Sequence, residues 1–121
     1  MNNKITGTVF EKEMCELLAN KGYWVHFITP DNRGAQPFDI IAVKEGKAIA
    51  LDCKTLAERT KSFNFSRLED NQIFAFEKWI ACGNSIPMIA IKWRGEVYVV
   101  DYLTLKEKKI IKMEEIKHEQ F

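Results

Sequence analysis

The chain has 121 residues, 46% hydrophobic and 29% charged, with a formal net charge of +1. That balance suits one soluble domain, 1–121, built on a single core, and excludes a disordered chain. No apolar run reaches the roughly 18–20 residues that cross a bilayer and "MNNKITGTVF" lacks the apolar core of a signal peptide, so no membrane partner is expected.

Over residues 8–21, Phe10, Met14, Leu17 and Leu18 recur at helical spacing, and Gly22 is a natural stop. "YWVHFI" (23–28) is aromatic and β-branched and reads as a strand, followed by the turn-rich loop "TPDNRGAQP". "FDIIAVKEGKAIALDCKT" (38–55) reads as two apolar strands around a Glu45-Gly46-Lys47 turn. Residues 56–64 are polar and basic and are expected to be loop. Ser66, three residues ahead of Glu69, forms a capping-box pattern that would start a helix with the stripe Ile73, Phe76 and Ile80, ended by Gly83. "IPMIAIKW" and "EVYVVDY" read as strands joined across Arg94-Gly95, and the charged tail after Thr104 as a short helix or an edge segment. Helix, three strands, helix, two strands and tail make an α/β domain, a mixed β-sheet flanked by helices.

The second strand of the 38–55 pair is apolar until Leu51 and then carries Asp52 and Lys54. Side chains alternate along a strand, so these two share a face, opposite Ile49, Leu51 and Cys53. An acid two residues before a lysine also occurs at Glu45/Lys47, Glu107/Lys109 and Glu115/Lys117. The first spans a turn and the other two lie in the tail, whereas Asp52/Lys54 alone ends an apolar strand whose partner bears its own acid, Asp39. Glu11, on the first helix, is the third carboxylate of interest. Hard divalent cations such as magnesium prefer carboxylate oxygens, and such an ion can hold a phosphate and acidify a bound water. A lysine beside it neutralises phosphate charge or positions that water. Residue chemistry alone leaves two readings open, a metal site and a structural ion pair at a strand end.

"FDIIAV" and "ALDCK", after a helix carrying "FEKE", resemble the PD-(D/E)XK nuclease superfamily. "SFNFSRLEDNQIFAFEKWIACGN" and then "EVYVVDY" look like the region after the active site in RecU-type Holliday-junction resolvases. The resemblance runs from about residue 7 to about residue 105 and implies a restriction-endonuclease-like fold. It also implies a metal-dependent DNA endonuclease that resolves Holliday junctions, acting as a homodimer with Mg2+ (or Mn2+) on four-way DNA. It makes Asp39 and Asp52 the metal-binding acids, Glu11 a helical glutamate at the metal, Lys54 the catalytic lysine and Gln72 a supporting glutamine. Asp52 stands where RecU-type enzymes usually have glutamate, which stays within the superfamily pattern, and the chain is too short for their stalk, a reduction that a minimal resolvase of phage or mobile-element type fits. The rivals are another repair or restriction nuclease on this fold, and a non-catalytic DNA-binding module.

Arg33, Arg59, Lys61 and Arg67 flank the site in loops and are candidates for phosphate contact. The small net charge speaks mildly against a dedicated nucleic-acid binder, but clustered acids offset basic residues in the total without removing a basic rim. Cys15, Cys53 and Cys82 leave at least one unpaired and show no metal-ligand spacing, so reduced thiols in a cytoplasmic protein (host cytoplasm for a phage protein) are expected. His26 in a strand and His118 in the charged tail are not expected to act as general bases, and Trp24, Trp79 and Trp93 are expected in core or interface.

Overall fold

Phe10, Met14 and Leu18, four residues apart, are all buried, as one face of helix α1 (Asn3–Asn20) must be when it packs on a sheet. The computed structural model describes residues 3–28 and 37–121, with side chains over 9–28 and 37–121. Beneath α1 lie Ile40, Ala42, Leu51 and Ala90, which close the first of two cores.

The sheet runs β1 (Trp24–Phe27), β2 (Ile40–Lys44), β3 (Lys47–Thr55), β5 (Met88–Trp93), β6 (Glu96–Asp101) and β8 (Lys117–His118) in spatial order. All neighbours are antiparallel except β3 and β5, which pair in parallel with Asp52 opposite Ile89 and Lys54 opposite Ile91. A parallel pair needs a crossover. Here it carries β4 (Ser62–Asn64) and helix α2 (Asp70–Ala81). The β2–β3 and β5–β6 hairpins share one turn geometry: Glu45-Gly46 and Arg94-Gly95 hold both residues at positive φ (53° and 77°; 51° and 79°). Such turns match the twist of the flanking strands and favour glycine at the second position.

The second core fills the opposite face, where Phe76 of α2 meets Ile89, Ile91, Phe63 and Tyr102. Phe76 and Tyr102 are in edge contact at 5.1 Å, and the Tyr102 hydroxyl donates to Glu77 Oε2 at 2.7 Å. The expected α/β architecture is therefore observed, and three local expectations are corrected. Helix α1 begins at Asn3 rather than residue 8. Residues 56–64 include strand β4, which pairs with β7 (Ile110–Lys112) through Phe63 and Ile111, both buried. The end of "EVYVVDY" is not strand: helix α3 (Tyr102–Lys108) starts there, capped by Asp101, whose Oδ1 accepts the Thr104 N–H at 2.8 Å. The tail beyond α3 supplies β7 and the edge strand β8.

Among the three tryptophans, Trp79 and Trp93 join the second core, whereas Trp24 is 62% exposed and stacks on His26. No helix among the described residues is long and apolar enough to cross a membrane.

Candidate active site

Four elements converge at one end of the sheet. Asp39 immediately precedes β2 and is pinned on both sides of its peptide: its N–H donates to the Leu51 carbonyl at 3.0 Å and its carbonyl accepts the Ile28 N–H at 2.8 Å. Its Oδ2 accepts the Cys53 N–H at 2.7 Å, so the carboxylate is held against the end of β3. Asp52 is fully buried and Asp39 is 5% exposed. Period-two alternation does put Asp52 and Lys54 together, with Nζ 3.2 Å from Asp52 Oδ2.

That ion pair is incomplete. Among the described residues the Lys54 ammonium faces the buried Oδ2 of Asp52 at ion-pair distance but poorly aligned for a hydrogen bond, and no other donor reaches that oxygen. A buried carboxylate oxygen without a donor is costly unless a cation faces it. The other oxygen, Oδ1, accepts from Gln72 Nε2 at 2.9 Å.

Gln72 is itself locked in place. It is buried at the third position of α2, and its Oε1 takes both the Glu69 N–H at 3.0 Å and Lys54 Nζ at 3.3 Å. The capping box lies three residues later than the sequence pattern predicts. Glu69 is the actual cap residue and pairs with Gln72, while Ser66 sits in a single 3-10 turn (Phe65–Arg67) and donates its N–H to Asn64 Oδ1. One glutamine thus closes the first turn of a helix and orients both Asp52 and Lys54.

Electrostatics set this cleft apart. Burial first, then the charge of Asp39 and a hydrogen bond with it, push the Glu11 carboxyl up from 4.5 to about 7, with Lys54 opposing. Asp52 is raised well above the ordinary carboxylate range by burial and then by Asp39, again offset in part by Lys54. The Cys53 and Cys15 thiols are raised chiefly by burial and then by neighbouring acids, so neither is a poised nucleophile.

Glu11, Asp39, Asp52, Lys54 and Gln72 all line one cleft of about 290 Å³, joined by Cys53, Glu69 and Asn71. Nothing in the sequence pattern places Asn71 at the site, and Glu69 reads there only as a capping residue; the Glu69-x-x-Gln72 spacing is the available sign of its true position. Among the described residues no three acidic, histidine or cysteine side chains enclose a metal position. The acids meet in pairs through Asp39, which suits an ion such as magnesium that binds one or two carboxylates and leaves its other positions to water and substrate phosphate. The Asp52 oxygen that has only the lysine contact and the crowding of negative charge both fit a cation in this cleft.

The loop cations are dispersed. Arg67 is next to the cleft, with Nη2 donating to the Thr55 carbonyl at 3.0 Å and the guanidinium over Phe63. Arg59 is exposed, Lys61 lines a different groove, and Arg33 lies outside the described residues. His118 pairs with Glu96, far along the sheet from the acids, as a residue without a catalytic role would.

Comparison with known proteins gives a consistent result. The crossover junction endodeoxyribonuclease Hjc of Methanocaldococcus jannaschii is 30% identical over 95 residues, which cover 78% of this chain and 65% of that relative. The structure of Archaeoglobus fulgidus Hjc, described as a Holliday junction resolvase from an archaeal hyperthermophile, aligns with a TM-score of 0.64 at 15% identity. That alignment covers 87% of this chain and 85% of the other, and establishes the shared fold. Residues 2–120 match the profile of the archaeal Holliday junction resolvase (Hjc) family. The expected superfamily holds, with the match falling on its archaeal resolvase branch: the chain belongs to the Hjc family.

Proposed function

We propose that this protein is a divalent-metal-dependent DNA endonuclease that resolves four-way junctions by paired hydrolytic cuts. The observation that carries this reading is the buried Asp52, with one oxygen held by Gln72 and the other lacking a hydrogen bond beside Lys54. Lys54 alone does not offset the charge of Asp52, Asp39 and Glu11 gathered beside it, and a bound cation relieves that excess.

Resolvase nucleases generally depend on a divalent metal. Asp39 and Asp52 are the residues that would hold it, with Glu11 at the edge, and the ion would supply charge stabilisation at the scissile phosphate and a more acidic water. Magnesium is our choice, and manganese suits the same oxygen donors. Lys54 places a compact positive charge where the phosphorane-like transition state gains negative charge. Gln72 keeps Lys54 and Asp52 in register with each other, and α2 directs the positive end of its dipole at the same acids. Water adds to phosphorus, the P–O bond to one deoxyribose breaks, and the departing oxygen takes a proton.

Resolution requires two symmetric cuts, so two copies related by a two-fold axis are the natural assembly. The test is incubation of a labelled four-way junction, a matching linear duplex and a single strand, with and without magnesium. Paired nicks confined to the junction are expected. Equal cutting of linear duplex points to a general nuclease, and binding without cutting points to a DNA-binding module.

A further inference from the structure

A second concavity, about 1100 Å³, opens on the same sheet face as the acid cleft. Lys54, Ile91, Tyr98 and His118 are register partners across β3, β5, β6 and β8, so the lysine and this groove lie on one face of the sheet, with the buried Ile91 and its core between them. At a strand spacing of about 4.8 Å, His118 is about 14 Å from Lys54. Trp93, two residues beyond Ile91 on β5, points to the same face.

The lining is cationic. Lys61, Arg94, Lys112 and Lys117 contribute to it against a single carboxylate, Glu114, and His118 is paired with Glu96 at 3.1 Å. Among the described residues Lys61, Lys112 and Lys117 make no ion pair. Arg94 makes a side-chain contact only to the Glu58 carbonyl and stacks at 4.1 Å on Trp93. Trp93 is 8% exposed, and its buried indole N–H has no acceptor among the described residues. A native fold seldom leaves a buried donor unpaired.

We propose that this groove is a DNA subsite that takes the sugar-phosphate backbone of the duplex arm leaving the acid cleft. The inference rests on the nuclease reading above and extends it to a surface outside the cleft. Its volume exceeds the roughly 300–1,000 Å³ that enclose a small ligand, and three lysines and an arginine line it. The straight separation of about 14 Å sets a minimum of about four base steps at 3.4 Å each, since the backbone passes over the core that covers Ile91, and this still lies within one arm. Lys61, Lys112 and Lys117 meet phosphates, and a backbone oxygen satisfies the Trp93 N–H once Arg94 turns from the ring to a phosphate of its own.

Two charge-matched double variants test this. Lys112→Gln/Lys117→Gln alters the groove. Lys44→Gln/Lys47→Gln alters the β2–β3 turn, where Lys47 is seven residues from Lys54 along β3, about 23 Å. Binding to a long-armed four-way junction is measured without divalent metal over a range of salt. The groove pair should flatten the salt slope by about 0.9 for each phosphate no longer neutralised and weaken binding about tenfold, while the turn pair leaves the slope unchanged. On junctions whose arms end short of the groove, the groove pair should bind as the parent does. Equal slopes for the two pairs, or an equally weakened groove pair on short arms, overturn the proposal. Magnesium-dependent cleavage by the parent is run alongside. Cleavage with equal slopes removes the groove alone, groove-dependent binding without cleavage removes the nuclease reading alone, and no binding by the parent removes both.

Discussion

The two halves of β3 follow opposite rules at the same depth. Ala50 and Leu51 are fully buried in apolar cores on the two faces of the sheet, where the removal of surface from water stabilises the fold. Asp52, the next residue, is equally buried, yet it has an oxygen without a hydrogen bond and a carboxyl pushed toward its neutral form. Burial that stabilises the first half therefore destabilises the second unless a cation arrives. Carboxylates perturbed in this way cluster at functional sites.

The largest effect expected of that contrast is on rate. Lys54→Met preserves the aliphatic stem and removes the charge, and junction cleavage should fall about 10³-fold, near 4 kcal/mol at 1.36 kcal/mol per decade, with junction affinity nearly unchanged. Single-turnover cleavage checks it, and a rate within a few-fold of the parent contradicts the role given to Lys54. The opposite half of the strand should respond in the opposite way. Leu51→Ala should cost about 2–5 kcal/mol in denaturant melts through the cavity it leaves, while cleavage per folded molecule holds.

A smaller loss is expected where the two regions meet. Gln72→Ala removes the hydrogen bonds at 2.9 Å to Asp52 and 3.3 Å to Lys54, so cleavage should drop about 10–100-fold and magnesium affinity should weaken in parallel. An unchanged rate with lowered stability would leave Gln72 only its capping role.

The smallest effect concerns pH. The Glu11 carboxyl is raised from 4.5 to about 7 in the fold, so its neutral form stabilises the metal-free protein below pH about 4.5, and that contribution is lost as pH rises through about 7. Glu11→Gln should therefore gain melting temperature relative to the parent between pH 5 and 8, the window that spans this shift. A gap that stays constant across that range would mean that Glu11 is not strained in the cleft. Magnesium should narrow the gap at the upper end, because a cation favours the ionised parent.

The sequence conveyed the cleft better than its surroundings. Alternation places Asp52 and Lys54 on one face by local geometry alone, and the acid ahead of an apolar partner strand marks Asp39. Gln72 stood out only through resemblance to a family, because an early helical glutamine is ordinarily a surface residue and its burial here comes from docking α2 over β3. The capping box slipped because Ser66-x-x-Glu69 and Glu69-x-x-Gln72 both satisfy the pattern, and a 3-10 turn that no spacing rule marks uses the first. Strands β4, β7 and β8 are two or three residues long. Partners distant in the chain hold them in place, and so short a segment carries no periodicity of its own. The groove they help to form was invisible for the same reason.

Asp52→Asn tests the central claim most directly. The substitution nearly preserves volume, leaves Oδ1 to accept from Gln72, and replaces Oδ2, which Lys54 faces at 3.2 Å, by an amide that can donate to the neighbouring Asp39 carboxylate. Thermal melts of the metal-free variant are paired with magnesium-dependent cleavage of a four-way junction on the same preparation. A cation site predicts a variant at least as stable as the parent that binds the junction and does not cut it. A structural Asp52–Lys54 pair predicts the reverse, since removing one partner strands a half-buried charge at a cost of about 3–5 kcal/mol when such pairs are deep. A variant that melts much earlier and still cleaves at the parental rate would contradict the account.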